Sequence, residues 1–137
     1  MVKRSIGSLI LGLGLLLAAI PLLAHHSFSA QYDSKQPVKL RGTVTKVEWM
    51  NPHAYFYLNV PEQGTGKLTN WAFEMGAPSG LQRQGWNRNT LHVGDEVIVE
   101  GSRAKDGSNL VNARNVFMAK TGQKLGTASS EGGEGER

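Results

Sequence analysis

The sequence predicts an all-β domain: a five-stranded, OB-fold-like barrel with one short helix between strands three and four, preceded by a secretory signal peptide. Three observations lead there. Five stretches between residues 38 and 118 are rich in β-branched and aromatic residues, and turn residues separate them. The one segment that breaks this pattern, near residues 78–84, lies between the third and fourth stretches. The first 24 residues are basic, then apolar, then end on a small residue. Another small β-barrel or a sandwich is the alternative, and the position of the single helix favours the OB layout.

Lys3 and Arg4 form the charged start of the signal, residues 6–20 its apolar centre, and Ala24 the small residue before cleavage. An uncleaved membrane anchor is the rival reading, since the apolar stretch approaches the roughly 20 residues a span needs. Pro21, Ala24 and the polar His25 and His26 favour cleavage, and no cysteine is present to carry a lipid. Cleavage predicts a periplasmic protein that starts at His25 and keeps no membrane span. The chain of 137 residues carries a formal charge of +4, which falls to +2 when Lys3 and Arg4 leave. With no basic run, that charge gives no footprint for a nucleic acid, and none is expected as a partner. The absence of cysteine removes disulfides, thiol chemistry and cysteine metal sites.

Residues 25–37 read as a polar arm. Strand one alternates from Val38 to Trp49, with Gly42 available for a bend or bulge. Asn51, Pro52 and His53 form a turn, because Asn-Pro disfavours both helix and a continuing central strand. Strand two covers residues 54–60, a glycine-containing hairpin follows, and strand three covers residues 68–74. Pro78 opens the helix and Gly85 closes it. Strand four runs over residues 96–103, Asp106-Gly107 makes a hairpin turn, and strand five spans residues 109–118. The barrel domain is expected over residues 38–121. From residue 122 the Gly, Ser, Thr and Glu content predicts a disordered tail.

His25-His26-Ser27-Phe28, Tyr32-Asp33, the run from Lys39 to Val44, the run from Glu48 to Ala54, Asn70-Trp71-Ala72-Phe73-Glu74 and Gly94-Asp95-Glu96-Val97 together resemble a family of small exported bacterial proteins known only as a domain of unknown function. The resemblance covers residues 25–125. It implies an exported single-domain protein of a Gram-negative bacterium and supplies no mechanism.

Candidate site residues fall in two sets. His25, His26 and His53 are candidate metal ligands: a free amine and the imidazole at His25 chelate one copper(II), and a further histidine nitrogen completes the planar set that ion prefers. Nickel or zinc comes after copper. Trp49, Asn51, His53, Tyr55 and Tyr57 are candidate ligand-binding residues, because the first turn of an OB barrel borders its binding face and Pro52 stiffens it. Tyr55 and Tyr57 share one face of strand two, Phe56 and Leu58 the other, so one pair is core. Filling the barrel is the plainer role for Trp71, Phe73 and Trp86. His92 reads as a surface residue, and Asp95 caps backbone amides. Glu48 and Glu74 could form a carboxylate pair, but no nucleophile accompanies them, and pairing with Arg83 or Arg88 is the expected use. The sequence therefore predicts no enzyme. It predicts a periplasmic binding module for a small molecule or an envelope protein, with copper(II) binding as the alternative.

Overall fold

A computed structural model describes residues 28–130. The chain divides into two units, Met1–Ala30 and Gln31–Arg137. Only residues 28–30 of the first are described, and the fold below is that of the second. The expected signal peptide, His25, His26 and residues 131–137 lie outside the described residues.

The strands are β1 (Tyr32–Glu48), β2 (Tyr55–Pro61), β3 (Leu68–Glu74), β4 (Glu96–Ala104), β5 (Leu110–Met118) and β6 (Lys124–Thr127), with helix α1 (Pro78–Arg83) between β3 and β4. They form a mostly antiparallel sheet in the order β3-β2-β1-β4-β5-β6. A parallel pairing of β3 with β5 closes five of the six into a ring.

One strand makes the ring possible. β1 pairs with β4 through Thr43 and with β2 from Thr43 onward, so a single long strand serves two neighbours in turn. Gly42 sits at the handover. A Cβ there would stand 2.5 Å from the carbonyl oxygen of Asn59, so only glycine allows the approach. A bulge between Val44 and Lys46 adds to the bend. Gly101 does the same on β4, where a Cβ would run into the carbonyl oxygen of Asn112.

Inside the ring are Val44, Phe56, Leu58, Phe73, Val97, Val99, Val111, Ala113 and Val116, with Met75, Leu81, Trp86 and Leu91 closing the core. Phe56 and Phe73 stack with centroids 4.9 Å apart and rings 7° from parallel. The expected split of β2 holds: Phe56 and Leu58 are fully buried, while Tyr55 and Tyr57 face out. α1 is too short to stand alone and is held by buried Leu81. Among the described residues no helix is long and apolar enough to cross a membrane.

Two expectations need correction. The polar arm is strand from Tyr32 on: Lys105 donates its amide to Gln31, and Tyr32 registers with Ala104. Tyr32 is buried, whereas Ser34, Lys35 and Gln36 are exposed and lie where the pairing with β4 shifts register, between Tyr32 and Pro37. The expected tail contains a sixth strand, β6, on the edge of β5. Only Leu125 of its four residues is apolar, and the rest of its hold is main-chain pairing, which composition does not signal.

Candidate functional site

Directly paired residues of a sheet share a face. The inner row is Phe56, Phe73 and Val111, paired in succession across β2, β3 and β5. One residue further along runs an outer row: Tyr55 pairs with Glu74, Glu74 with Asn112, and Asn112 with Ser102. Glu74, Asn112 and Ser102 are the buried polar residues of the described chain, although they lie on the outside of the ring.

Glu74 is the centre of this row and only 6% exposed. Its Oε2 accepts hydrogen bonds from the hydroxyls of Tyr32 at 2.7 Å and Tyr55 at 2.8 Å. Its Oε1 accepts from the Ser130 hydroxyl at 3.3 Å. His53 Nδ1 lies 4.0 Å from the same Oε1, is buried, and has no hydrogen-bond partner. The turn is pinned to the exit of β3 on both sides, since Ala54 donates to the Gly76 carbonyl and accepts from the Met75 amide. That pair of hydrogen bonds is why His53, remote in sequence, stands beside Glu74. The Asn51-Pro52 peptide bond in this turn is cis.

The neighbourhood holds both tyrosines protonated. Burial, then the hydrogen bond to Glu74 and its charge, push the Tyr32 and Tyr55 hydroxyls well above the ordinary tyrosine range. Tyr57 is raised as well, by burial first and then by its 3.0 Å bond to Glu48. Glu48 is shifted the other way, below the usual carboxylate range, by Lys46 first and Tyr57 second. Lys46 also lies 5.4 Å above the Tyr57 ring, so Lys46, Glu48 and Tyr57 form a second, open cluster beside the Glu74 row.

The structure therefore brings together His53 and Tyr55 but not the whole expected set. Tyr57 belongs to the Glu48 cluster, Trp49 packs against the core, and Asn51 is exposed in the turn. Glu74 takes hydroxyl partners and not the expected arginine. His92 is exposed, and its amide donates to Asp95 Oδ2 at 2.9 Å, the expected cap. Trp86 is core, and Trp71 is half-buried under the Arg103 guanidinium at 5.1 Å. Tyr32, Asn112, Ser129 and Ser130 are members of the row that residue patterns alone did not reveal. The available signal was parity: once Tyr55 faces out, its cross-strand partners do too. No group of three or more His, Cys, Asp or Glu among the described residues is placed to hold a metal ion.

A family model described as "Family of unknown function (DUF6152)" matches residues 14–112, most of the chain and the whole of the Glu74 row as far as Asn112. The chain belongs to this family. No curated protein matches it significantly. Among solved structures it is similar to the complex of TiaS with an isoleucine tRNA and ATP, at 20% identity and a TM-score of 0.45 over 63% of this chain and 18% of that one. It is also similar to a ZRD-deleted mutant of TiaS in complex with agmatine, at 21% identity and a TM-score of 0.44 over 76% of this chain and 24% of that one. The chain thus spans less than a quarter of the length of either.

Proposed function

We propose that the protein is exported to the periplasm by cleavage after Ala24, and that its ring of strands is an OB-type barrel acting as a non-catalytic binding module. The ligand is taken where the turn carrying Asn51 and His53 meets the outer face of β2 and β3. One observation carries this reading: His53 Nδ1 is buried without a hydrogen-bond partner, 4.0 Å from a buried carboxylate oxygen of Glu74. An unmet buried nitrogen costs about 1–3 kcal/mol, and a ligand that bonds to it recovers that cost. Tyr55, Tyr57 and Trp49 would frame the ligand, and Asn51 would close over it. The ring order and the helix between β3 and β4 support the OB assignment. The basic, apolar and small-residue pattern before His25 supports export.

The test is chemical-shift mapping on the mature protein with a periplasmic metabolite fraction as probe. Shifts confined to residues 49–57 and Glu74, and lost in His53→Ala, are expected. Shifts spread evenly over the chain, or unchanged in that variant, would overturn the reading. Sequencing of exported protein should begin His-His-Ser-Phe, and a start at Met1 would overturn the export part.

The same unpartnered nitrogen favours a second reading, copper(II) binding by the His25 amine and imidazole with His53 or His26 as a further ligand. The residues fit to this extent: His53 Nδ1 has no hydrogen-bond partner and lies 4.0 Å from Glu74 Oε1. Calorimetric titration of the mature protein and of a form with one extra residue before His25 decides it. The extension displaces the amine from its chelate ring, so equal copper affinities would sink the idea.

A further inference from the structure

At Glu74 and Asn112 the outer row is not open to solvent, because the chain's own residues 128–130 lie across it. Ala128 donates its amide to the Arg114 carbonyl, and its carbonyl accepts from the Gly76 amide. Ser129 Oγ donates to Asn112 Oδ1 at 3.0 Å, and Asn112 Nδ2 donates to Ser130 Oγ. Ser130 in turn donates to Glu74. Gly76 leaves room for this strap: a Cβ there would come within 3.2 Å of the Ser129 carbonyl oxygen. The slot itself follows from the topology. β3 covers β5 only from Leu110 to Asn112, and past that point β6 and the strap take over the exposed edge.

The fit is incomplete. Two side-chain nitrogens among the described residues are buried without a partner, His53 Nδ1 and Trp86 Nε1. The first borders this segment and the second borders β6, two residues ahead of it. His53 lies at the Ser130 end, beside Glu74, and Trp86 Nε1 lies 3.1 Å from where a Gly126 Cβ would be. A segment shaped for its slot leaves few such groups unmet. The seat supplies main-chain bonding positions, an amide and a carboxylate that read two adjacent hydroxyls, and one further polar atom, His53 Nδ1, that the present occupant does not use.

From this we infer that the slot floored by Glu74, Gly76 and Asn112 is a binding site for an extended polypeptide strand of another protein, with a small residue followed by two hydroxyl residues, and that residues 128–130 occupy it in cis. The mode is strand addition to an open sheet edge, with main-chain bonds for affinity and side-chain seats for selection. The inference rests on the binding-module reading and names the ligand class for its neighbouring face. A cis strap acts as a tethered competitor at millimolar effective concentration, so an incoming strand binds strongly only when the strap is weak or released.

The probe is a fluorescent peptide of this chain's residues 124–130, titrated against the full mature chain. Ala128→Pro removes the amide that bonds Arg114 and leaves the slot floor untouched. It should raise peptide affinity at least about tenfold by removing the tethered competitor. Adding Asn112→Ala to that variant should abolish the gain. Folded Ala128→Pro protein, judged by its far-ultraviolet spectrum, with the same peptide affinity as wild type would overturn the inference. A second measurement holds if that variant does not fold. Excess peptide added to the wild-type chain should shift the Gly76 and Asn112 amide resonances, and no shift at either would overturn it too. Peptide failing in both while a small molecule still perturbs residues 49–57 would remove the strand site and leave the binding module standing.

Discussion

Two rows of residues run side by side across the same strands and are built on opposite terms. The inner row of Phe56, Phe73 and Val111 is wholly apolar and fully buried. Its stability comes from area removed from water and close packing, and needs no partner outside the ring. The outer row of Tyr55, Glu74, Asn112 and Ser102 is polar and, from Glu74 on, nearly as buried, but its cover is a tyrosine hydroxyl and a short serine-bearing strap. A polar row contributes little net stability when every bond is made and costs much when one is missing. A domain this small gains nothing in folding by hiding a carboxylate outside its core. The contrast separates the part of the molecule that makes the fold from the part available for recognition.

The comparison breaks most sharply at the core. Phe73→Ala removes half of the Phe56 stack and should lose about 3–5 kcal/mol in denaturant melts, enough to unfold much of the population. Gly101→Ala tests the ring closure that both rows share. Its Cβ would collide with the main chain of β5, so a loss near the upper end of the roughly 1–3 kcal/mol cost of overpacking is expected. Glu74→Ala strips the acceptor from two tyrosine hydroxyls and should cost about 2 kcal/mol, whereas Glu74→Gln, which keeps one acceptor oxygen, should cost about half of that. If Glu74→Gln matched Phe73→Ala, the outer row would be part of the core and the distinction would fail.

Alkali sharpens the comparison in a different way. Tyr32 and Tyr55 lose their protons only above the range where unfolded tyrosine does, near pH 10. A folded pKa above the unfolded one means that this contribution is complete below pH 10 and is lost as pH rises beyond it. Tyrosinate absorbance should therefore appear in two steps, Tyr57 ahead of the other two, with melting temperature falling above pH 10. A single step at the ordinary value would deny the Glu74 environment. The smallest effect belongs to the exposed ion pairs. Arg41→Gln breaks the 2.6 Å bond to Glu96 on the open surface of β1 and β4, and its melting curve should overlay the wild type.

How much of this was legible in the sequence differs between the two rows. Alternation in β2 puts Phe56 and Leu58 on one face and Tyr55 and Tyr57 on the other, one of them core, and the proline and glycine around α1 mark its ends. Those signals are local, and the structure agrees with them. The outer row is assembled from β1, β2, β3, β4, β5 and the segment after β6, so its existence depends on register. The start of β1 has one buried tyrosine followed by an exposed polar stretch, and β6 has Leu125 as its one apolar residue, so hydrophobic patterning is nearly silent in both. Glu74 stood out as a carboxylate near a strand end. Its partners are two tyrosines and a serine because the ring brings Tyr32 and Ser130 to it, which no spacing along the chain encodes.

Native-state amide exchange, followed residue by residue, tests the central claim that the inner row holds the fold while the strapped outer row opens on its own. The account predicts that paired amides in β2, β3 and β4 exchange only through global unfolding. Gly76, whose amide donates to the strap, and Ala128, whose amide donates from the strap to Arg114, should exchange at least about tenfold faster through local opening. Exchange of Gly76 and Ala128 at the same rate as the core strands, with the same response to denaturant, would show one cooperative unit and contradict it.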